Sequence, residues 1–189
     1  MLESKHVVLV DHRDNVLGIQ NKLEAHHANT PLHRGFCVFL FDYNKRLLIQ
    51  KRSSMKKTWP LYWSNSFCGH PQVTETYEQG VHRHSQFELG INLQELYHVA
   101  NYQYQCTMKE SNIMENEICP IYVALSNEHI TINKAEIEEV LLLEWSESIN
   151  FLNQHLTSFT PWCIEAFDLV KNGNFLDKVI GVSNAVVKV

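Results

Sequence analysis

The segment 64–91 places residues that could bind a metal-bridged phosphate at a regular spacing. Gly69 is followed by Glu75, Arg83 and Glu88, a spacing that predicts a glycine-containing turn leading into a helix. Residues three and four apart are neighbours on a helix, so one side of this helix carries positions 77, 81, 84 and 88. Glu88 ends that side and Arg83 lies next to it. One carboxylate and one guanidinium can therefore face a common pocket, which is what a phosphate bridged by a metal ion needs.

Histidines and paired glutamates elsewhere in the chain could also bind a cation. The sequence has 11 histidines, and His26, His27 and His33 lie close together on a stretch where a proline blocks a continuous helix. Glu115 and Glu117 are two apart on a predicted strand and point to the same face. Two carboxylates on one face repel each other unless they are solvated or bound to a cation. These residues make metal binding a hypothesis to test.

A basic loop precedes an aromatic loop in the first third of the chain. Arg52, Lys56 and Lys57 come shortly before the segment 59–63, WPLYW. The two loops could form an anion-binding site beside an apolar wall. They could also be a solvated turn beside a small aromatic cluster, and without further context this second interpretation is favoured.

Length and composition predict one globular domain. The 189 residues are 44% hydrophobic and 20% charged, which is enough for one substantial core and short for two. The formal net charge of −5 provides no general attraction to nucleic acid or to an anionic membrane, so neither RNA nor DNA is an expected partner. No apolar run approaches the ~20 residues of a membrane span.

The cysteines indicate a reducing compartment. The five are odd in number and contain no CxxC pair: Cys37, Cys68, Cys106, Cys119 and Cys163. The N-terminus lacks a signal-peptide pattern. We therefore expect a cytoplasmic protein with free thiols.

Periodicity and turn signals predict the elements that position these residues. Strands are predicted over residues 6–10 and 16–19, which form a hairpin, and over 34–41, 47–50, 102–108 and 115–124. The pattern over 136–145 fits either a helix or a strand, and the strand is favoured. The segment 34–41 is almost entirely apolar, which predicts a strand buried on both faces. One helix is predicted to begin at Ser146 as N-cap. A second is predicted between Thr160-Pro161 and Gly173, which places Trp162 in its first turn.

The segment 69–91 resembles the Nudix box, whose general form is Gly, five residues, Glu, seven residues, then Arg-Glu-apolar-x-Glu-Glu-x-Gly-apolar. The positions that fit are Gly69, Glu75, Arg83, Glu88, Gly90 and Ile91. His84 and Phe87 stand where two glutamates of the box belong. The resemblance implies a Nudix fold, an α/β (α+β) architecture of mixed β-sheets packed between helices. A single domain 1–189 would then carry an N-terminal hairpin extension over about 1–33 and a tail over about 173–189.

Four further motifs make a more specific resemblance. The chain contains AHxxxTxLH at 25–33, WxNSxCGHP at 63–71, ENExCP at 115–120 and Thr-Pro-Trp at 160–162. In this order and spacing they resemble type I isopentenyl-diphosphate isomerase, a family with the Nudix fold. The resemblance implies interconversion of isopentenyl and dimethylallyl diphosphate by a 1,3-allylic proton shift through a tertiary carbocation, in isoprenoid biosynthesis.

The same resemblance implies roles for particular side chains. Cys68 and Glu117 would be the acid/base pair that this proton transfer requires, with Tyr104 hydrogen-bonded near Glu117. Trp162 would set its indole face against the cation, a contact that can be worth ~2 kcal/mol when desolvated.

The family's metal sites and diphosphate contacts also map onto this chain. One site, for manganese, magnesium or zinc, would use His26, His33, His70, Glu115 and Glu117. A second ion, magnesium carried by the substrate diphosphate, would bind Glu88 and the backbone carbonyl of Cys68. The diphosphate itself would contact Lys22, Arg52, Lys56 and Arg83. The expected partner is a small allylic or homoallylic diphosphate, with no nucleic acid and no membrane, and the expected state is a monomer or weak homodimer.

Three positions depart from the simplest form of this assignment. Gly80 lies inside the predicted motif helix and costs roughly 1 kcal/mol relative to alanine. Tyr104 is assigned across a turn of uncertain length. His27 is adjacent to His26 and could compete for its role as ligand.

Three alternative functions remain open at this stage. A Nudix hydrolase acting on a nucleoside diphosphate derivative would need several box carboxylates, of which Glu88 is left. A noncatalytic Nudix-like module that binds a metabolite or a protein gives no reason for the cysteine, the histidines and Glu117 to occur together. A cysteine hydrolase using Cys68 and His70 lacks an evident orienting residue.

Overall fold

The computed structural model describes residues 6–173, 176–177 and 181. The strands are β1 (His6–Val10), β2 (Val16–Asn21), β3 (His33–Arg34), β4 (Phe36–Phe41), β5 (Arg46–Arg52), β6 (Trp63–Ser64), β7 (Phe67–Gly69), β8 (Glu95–Ala100), β9 (Gln103–Met108), β10 (Ile113–Ile118), β11 (Ile121–Leu125) and β12 (Ile137–Glu144). The helices are α1 (Lys22–Ala25), α2 (Tyr77–His84), α3 (Trp145–Gln154) and α4 (Pro161–Asn172). A π-helical turn, Ser85–Leu89, continues α2.

The strands form two mixed sheets. The five-stranded sheet has the order β2-β1-β3-β10-β9, and it begins with the predicted N-terminal hairpin. The seven-stranded sheet has the order β12-β5-β4-β11-β8, with β6 on β5 and β7 on β4. Each sheet contains one parallel pair, β3 with β10 and β4 with β11. The prediction of mixed sheets with helices is confirmed.

The predicted strand over 115–124 is wrong as a single element. The structure divides it into β10 and β11, which belong to different sheets. Pro120 has no N–H to donate to a ladder, and its carbonyl accepts a hydrogen bond from Cys37 N at 3.1 Å. Cys119 N donates to Tyr102 O at 2.7 Å, so the chain turns from one sheet to the other at this point. Glu115 and Glu117 therefore lie beside the junction of the sheets.

Strand β4 forms the centre of the core, because all six of its residues are buried. On one face, Phe39 and Phe41 pack against Phe167 of α4 and Trp145 of α3. On the other face, Phe36, Val38 and Leu40 join a cluster that includes Val81 of α2. Fully burying one such apolar side chain stabilises the fold by about 1.5–3 kcal/mol. The prediction of a strand buried on both faces is confirmed.

Local signals begin and end the helices. Thr76 and Gln79 form a capping box at the start of α2, and Gly80 lies where an added Cβ would come within 3.1 Å of Pro71 Cα. This close packing explains why a poor helix former stands inside α2. Helix α4 begins at Pro161 and ends before Gly173, as predicted.

The predicted start of α3 at Ser146 is wrong by a short distance. The N-cap is Glu144, whose side chain and that of Glu147 form a reciprocal capping box. The Glu144 carboxylate accepts the backbone hydrogen bond that a serine hydroxyl at the N-cap would accept, so the helix begins before Ser146. None of the helices in the described part of the chain has the length and apolar character needed to cross a bilayer. Of the predicted tail, residues 174–175, 178–180 and 182–189 lie outside the described residues.

Candidate active site

A cavity of about 310 Å³ is lined by residues from both sheets and from α1, α2 and α4. The predicted site residues on its lining are Lys22, His26, Arg52, Lys56, Cys68, His70, Glu88, Tyr104, Glu115, Glu117 and Trp162. Residues separated by more than 100 positions in sequence therefore face one space. The folded chain brings the candidate thiol, carboxylates, histidines and cations together.

The strand register places Glu117 at the centre of a group of possible metal ligands. On β10, Glu117 lies between His33 of β3 and Tyr104 of β9. His26 and His70 approach from outside the sheet, with ring centroids 5.6 Å apart. The ligand atoms of the three histidines and Glu117 lie within 4.8 Å of one another. Three imidazoles and a carboxylate in this arrangement can hold a divalent cation.

Backbone carbonyls fix the orientation of two of these imidazoles. His26 Nδ1 lies 2.6 Å from Lys22 O, and His33 Nδ1 lies 2.8 Å from Pro31 O. A carbonyl only accepts, so each Nδ1 must carry the proton. Each Nε2 then points toward Glu117 or Glu115, where it donates a hydrogen bond to the carboxylate when protonated and can bind a metal ion when deprotonated. The residues present therefore fit a divalent metal ion.

Glu115 lies beside this group and also contacts the loop that follows β5. Its Oε2 is 3.1 Å from His26 Nε2, and its Oε1 accepts a hydrogen bond from Thr58 Oγ1 at 3.0 Å. His27 does not compete for the position of His26, because its exposed ring accepts a hydrogen bond from Asn29 N at 3.0 Å. The backbone of this loop thus turns His26 inward and His27 outward.

Burial and hydrogen bonding act in opposite directions on the two glutamates. Burial raises the pKa of Glu117, but contacts with His33 and His70 outweigh it and hold that pKa well below the usual range. Burial likewise raises the pKa of Glu115, and the hydrogen bond with His26 outweighs it. Burial raises the pKa of Tyr104 well above its usual value, so its phenol stays protonated. Tyr104 accordingly donates to Glu117 Oε2 at 3.1 Å.

Gly35 determines how closely the backbone approaches Glu117. A Cβ added to Gly35 would lie 2.0 Å from Glu117 Oε2. We expect Gly35→Ala to push this carboxylate out of place and to lower the unfolding free energy by about 1–3 kcal/mol, as overpacking does. Urea denaturation and measurement of bound metal test this. Gly18→Ala is the matched control, since nothing lies within 4 Å of its added Cβ. Equal effects of the two substitutions would contradict the expectation.

Cys68 reaches the cavity from β7, on the other sheet. Its side chain is half-buried, and Sγ donates to Asn65 Oδ1 at 3.1 Å. The Asn65 amide is itself fixed, because its Nδ2 donates to Phe67 O at 2.7 Å and to Val38 O at 3.1 Å. The thiol therefore has a defined direction on the wall of the cavity that Glu117 also lines.

Aromatic rings line the space near these two groups. Trp162 of α4 lies 5.9 Å from Tyr104 and 5.0 Å from Trp59, measured between ring centroids. The Arg52 guanidinium carbon lies 5.3 Å from the Trp162 ring centroid. The Trp162 indole therefore makes a cation–π contact with Arg52 on the lining of the cavity.

Cations and Glu88 form the polar end of the cavity. The Arg52 guanidinium is held by Thr58 O at 2.9 Å, and Lys56 Nζ lies 2.5 Å from Glu136 Oε2. Burial raises the pKa of Glu88 to about 7, although Lys56 and Lys22 act against it. A cation bound beside this carboxylate would favour its ionised form.

Comparisons with known proteins agree with this arrangement. A family model described as the NUDIX domain matches residues 31–163. A protein from Brevibacterium linens named isopentenyl-diphosphate Delta-isomerase is 38% identical over 162 residues, which cover 85% of this chain and 88% of that protein. A protein of the same name from Salmonella paratyphi B is 38% identical over 167 residues, 86% and 90% of the two chains. The chain belongs to the isopentenyl-diphosphate Delta-isomerase family.

Solved structures support the fold. The crystal structure of DR0079 from Deinococcus radiodurans has a TM-score of 0.66 at 20% identity, covering 89% of this chain and 98% of that one. The structure of a MutT protein from Methanosarcina mazei Go1 has a TM-score of 0.61 at 17% identity, covering 77% and 96%. At these identities the likeness concerns the fold alone. The predicted Nudix fold is confirmed.

Within this member of the isomerase family, Arg83 lies apart from the cavity lining. Its guanidinium binds both carboxylate oxygens of Glu75 at 2.7 Å and donates to His70 O at 3.0 Å. The neighbouring His84 lines the cavity instead. His84 Nδ1 lies 3.3 Å from Glu88 Oε1, and burial lowers the pKa of His84 to about 3. The ring also packs on Gly69, where an added Cβ would approach it to 2.6 Å.

The sequence placed positions 84 and 88 on one helix face, because they are four apart, but it gave His84 no role beyond that of a missing glutamate of the box. Thr58 and Glu136 were also missed. They lie in loops, and their contacts with Glu115 and Lys56 join residues 57 and 80 positions apart, which no local pattern reveals.

Proposed function

We propose that the protein interconverts isopentenyl diphosphate and dimethylallyl diphosphate by a 1,3-allylic proton shift. The observation that carries this proposal is that the Cys68 thiol and the Glu117 carboxylate line one cavity from different sheets. An unactivated alkene is a poor base, so the reaction needs an acid on one side of the substrate and a base on the other. A thiol and a carboxylate on separate walls meet this need.

In this proposal, the proton moves between the substrate and these two groups. Cys68 and Glu117 exchange protons with carbons one and three of the allylic system. Tyr104 donates to Glu117 Oε2 and so limits the positions that this carboxylate can adopt. Trp162 lines the cavity and offers its indole face to the tertiary carbocation.

We propose that His26, His33, His70, Glu115 and Glu117 hold one divalent ion, which is manganese, magnesium or zinc. When bound, this ion supplies positive charge that alters the proton affinity of Glu117. Magnesium carried by the substrate diphosphate would use Glu88 and the backbone carbonyl of Cys68. The carboxylate of Glu88 lies at the cationic end of the cavity, which suits such a role.

The diphosphate binds at that cationic end. Lys22, Arg52 and Lys56 line the cavity and supply positive charge. Fixing the charged end of the substrate removes translational freedom and holds the alkene near the thiol and the carboxylate. We assign Arg83 an indirect part, since its guanidinium holds the His70 carbonyl. His84 lines the cavity, where the resemblance to the isomerase family had implied Arg83 as a diphosphate contact.

Substitution of His84 and of Arg83 distinguishes a role in substrate binding from a role in stability. We expect His84→Ala to raise the KM for isopentenyl diphosphate about tenfold. The variant would lose one hydrogen bond to the charged diphosphate, which is worth about 1.5 kcal/mol. We expect Arg83→Ala to lower stability by breaking its partly buried, bidentate ion pair with Glu75. Steady-state kinetics and thermal unfolding of both variants test this. A larger rise in KM for Arg83→Ala in a fully folded protein would reverse the assignment.

Isotope exchange tests the proposed reaction directly. Purified protein is incubated with isopentenyl diphosphate and magnesium in deuterated water, and NMR follows deuterium in dimethylallyl diphosphate. Isomerase activity incorporates deuterium into the product. Release of phosphate from nucleoside diphosphate derivatives without an alkene shift would favour a hydrolase. Absence of both reactions, with binding retained, would favour a noncatalytic module.

The cellular setting follows from the same proposal. We infer one domain that acts in the cytoplasm as a monomer or weak homodimer, without nucleic acid or membrane as partner. Gel filtration with light scattering measures the oligomeric state.

A further inference from the structure

Cys68 lies directly opposite a second cysteine on the neighbouring strand. The antiparallel register of β4 and β7 pairs Cys37 with Cys68. Residues opposite each other in such a pair have Cα atoms about 4.5–5.5 Å apart and side chains on the same face. This separation lies inside the range of about 4.4–6.8 Å that a disulfide accepts.

The two sulfurs differ in access from solvent. Cys68 lines the cavity and is half-buried, whereas Cys37 is fully buried. A small oxidant that enters the cavity therefore meets Cys68 first. Cys119 and Cys163 are fully buried in the same hydrophobic cluster, but neither is the strand partner of Cys68. Cys37 is thus the thiol placed to react second.

We propose that Cys37 and Cys68 form a reversible disulfide when a hydroperoxide enters the cavity. The Cys68 sulfur attacks one peroxide oxygen, the O–O bond breaks, and the products are a Cys68 sulfenic acid and an alcohol or water. The Cys37 sulfur then attacks Cys68 Sγ, the S–O bond breaks, and the hydroxyl leaves as water with the Cys37 proton. Each sulfur gives up one electron, and the peroxide takes up two. A dithiol reverses the bridge by thiol–disulfide exchange.

The bridge removes the Cys68 proton, so it stops isomerisation if the proposed function is right. Formation of the bridge does not depend on that function. Mapping of the bridge therefore tests the disulfide proposal, and measurement of isomerisation tests the proposed function. Either proposal can be wrong while the other holds.

Peroxide treatment of the full-length protein tests the proposal. After brief exposure to hydrogen peroxide and denaturation, we expect titratable thiols to fall from the five of the untreated chain to three. Peptide mass spectrometry should show Cys37 joined to Cys68 with the loss of two hydrogens. Dithiothreitol should restore the thiols together with the activity. A bridge to Cys119 or Cys163, or sulfinic acid on Cys68 without a bridge, would overturn the proposal.

Two variants sharpen this test. Cys37→Ala should keep its activity before oxidation, but it should accumulate a Cys68 sulfenic acid that dimedone traps and progress to irreversible loss. Cys106→Ala, which removes a half-buried thiol outside the cavity lining, should respond to peroxide as the wild type does. Recovery of oxidised Cys37→Ala to the wild-type extent would contradict the proposal. Mapping of the wild-type bridge decides the matter even if Cys37→Ala folds poorly.

Discussion

Cys68→Ala is expected to lower kcat for isomerisation by about 10³-fold, within the range of about 10²–10⁴ that a positioned acid or base contributes. The substitution removes the thiol that faces the cavity and leaves the cationic end of the cavity intact. The KM should therefore change little, because the diphosphate contacts are preserved. Deuterium incorporation followed by NMR provides the rate, and titration of the rate with isopentenyl diphosphate provides the KM.

The control for this variant is Cys106→Ala, which alters a thiol on β9. Its kcat should match the wild type, which separates loss of a particular thiol from general sensitivity to cysteine replacement. Thermal unfolding shows whether each variant is folded. An unchanged isomerisation rate in folded Cys68→Ala would remove the thiol from the mechanism while leaving the family assignment intact.

Elements set by local physics were predictable from the sequence. Strand β4 needed only its unbroken apolar run, and α4 needed only Thr160-Pro161 at its start and Gly173 after its end. Alternation alone predicted β9, where exposed and half-buried residues alternate along the strand. In each of these elements, the neighbouring residues along the chain determine the conformation.

Elements that depend on distant partners were less predictable. The division between β10 and β11 depends on hydrogen bonds from Cys37 and to Tyr102, neither of which is close to it in sequence. The choice of His26 over His27 as a ligand depends on Glu115, whose Oε2 lies 3.1 Å from His26 Nε2 although the two residues are far apart in sequence. The periodicity of apolar residues along the sequence does not reveal contacts of this kind.

The candidate site shows the same limit. The motifs identified its thiol, histidines and glutamates, because these residue types have few other reasons to occur together. They did not show that Arg83 turns to Glu75, since this ion pair requires the folded turn before α2. They also did not reveal Gly35, whose role appears only when the parallel register of β3 and β10 brings Glu117 beside it.

Removal of divalent metal is expected to lower the melting temperature by about 5–10 °C. A ligand present at about 100 times its Kd stabilises the folded state by about 2.7 kcal/mol. For a protein of about 150–250 residues, each 1 kcal/mol shifts the melting temperature by about 2–4 °C. Without a cation, the buried carboxylate of Glu117 depends on protein contacts such as those with His33, His70 and Tyr104. Calorimetry with and without EDTA measures the shift, and elemental analysis measures the metal.

His33→Asn isolates the contribution of the histidine group. We expect this variant to contain little metal and to lose most of its activity, and EDTA should no longer change its melting temperature. His27→Ala is the matched control, because its exposed ring lies one residue from His26 but contacts Asn29. The control should bind as much metal as the wild type and show the full EDTA shift. Metal loss in His27→Ala with retention in His33→Asn would exchange their roles, and an identical EDTA shift in all three proteins would place the stabilising ion elsewhere.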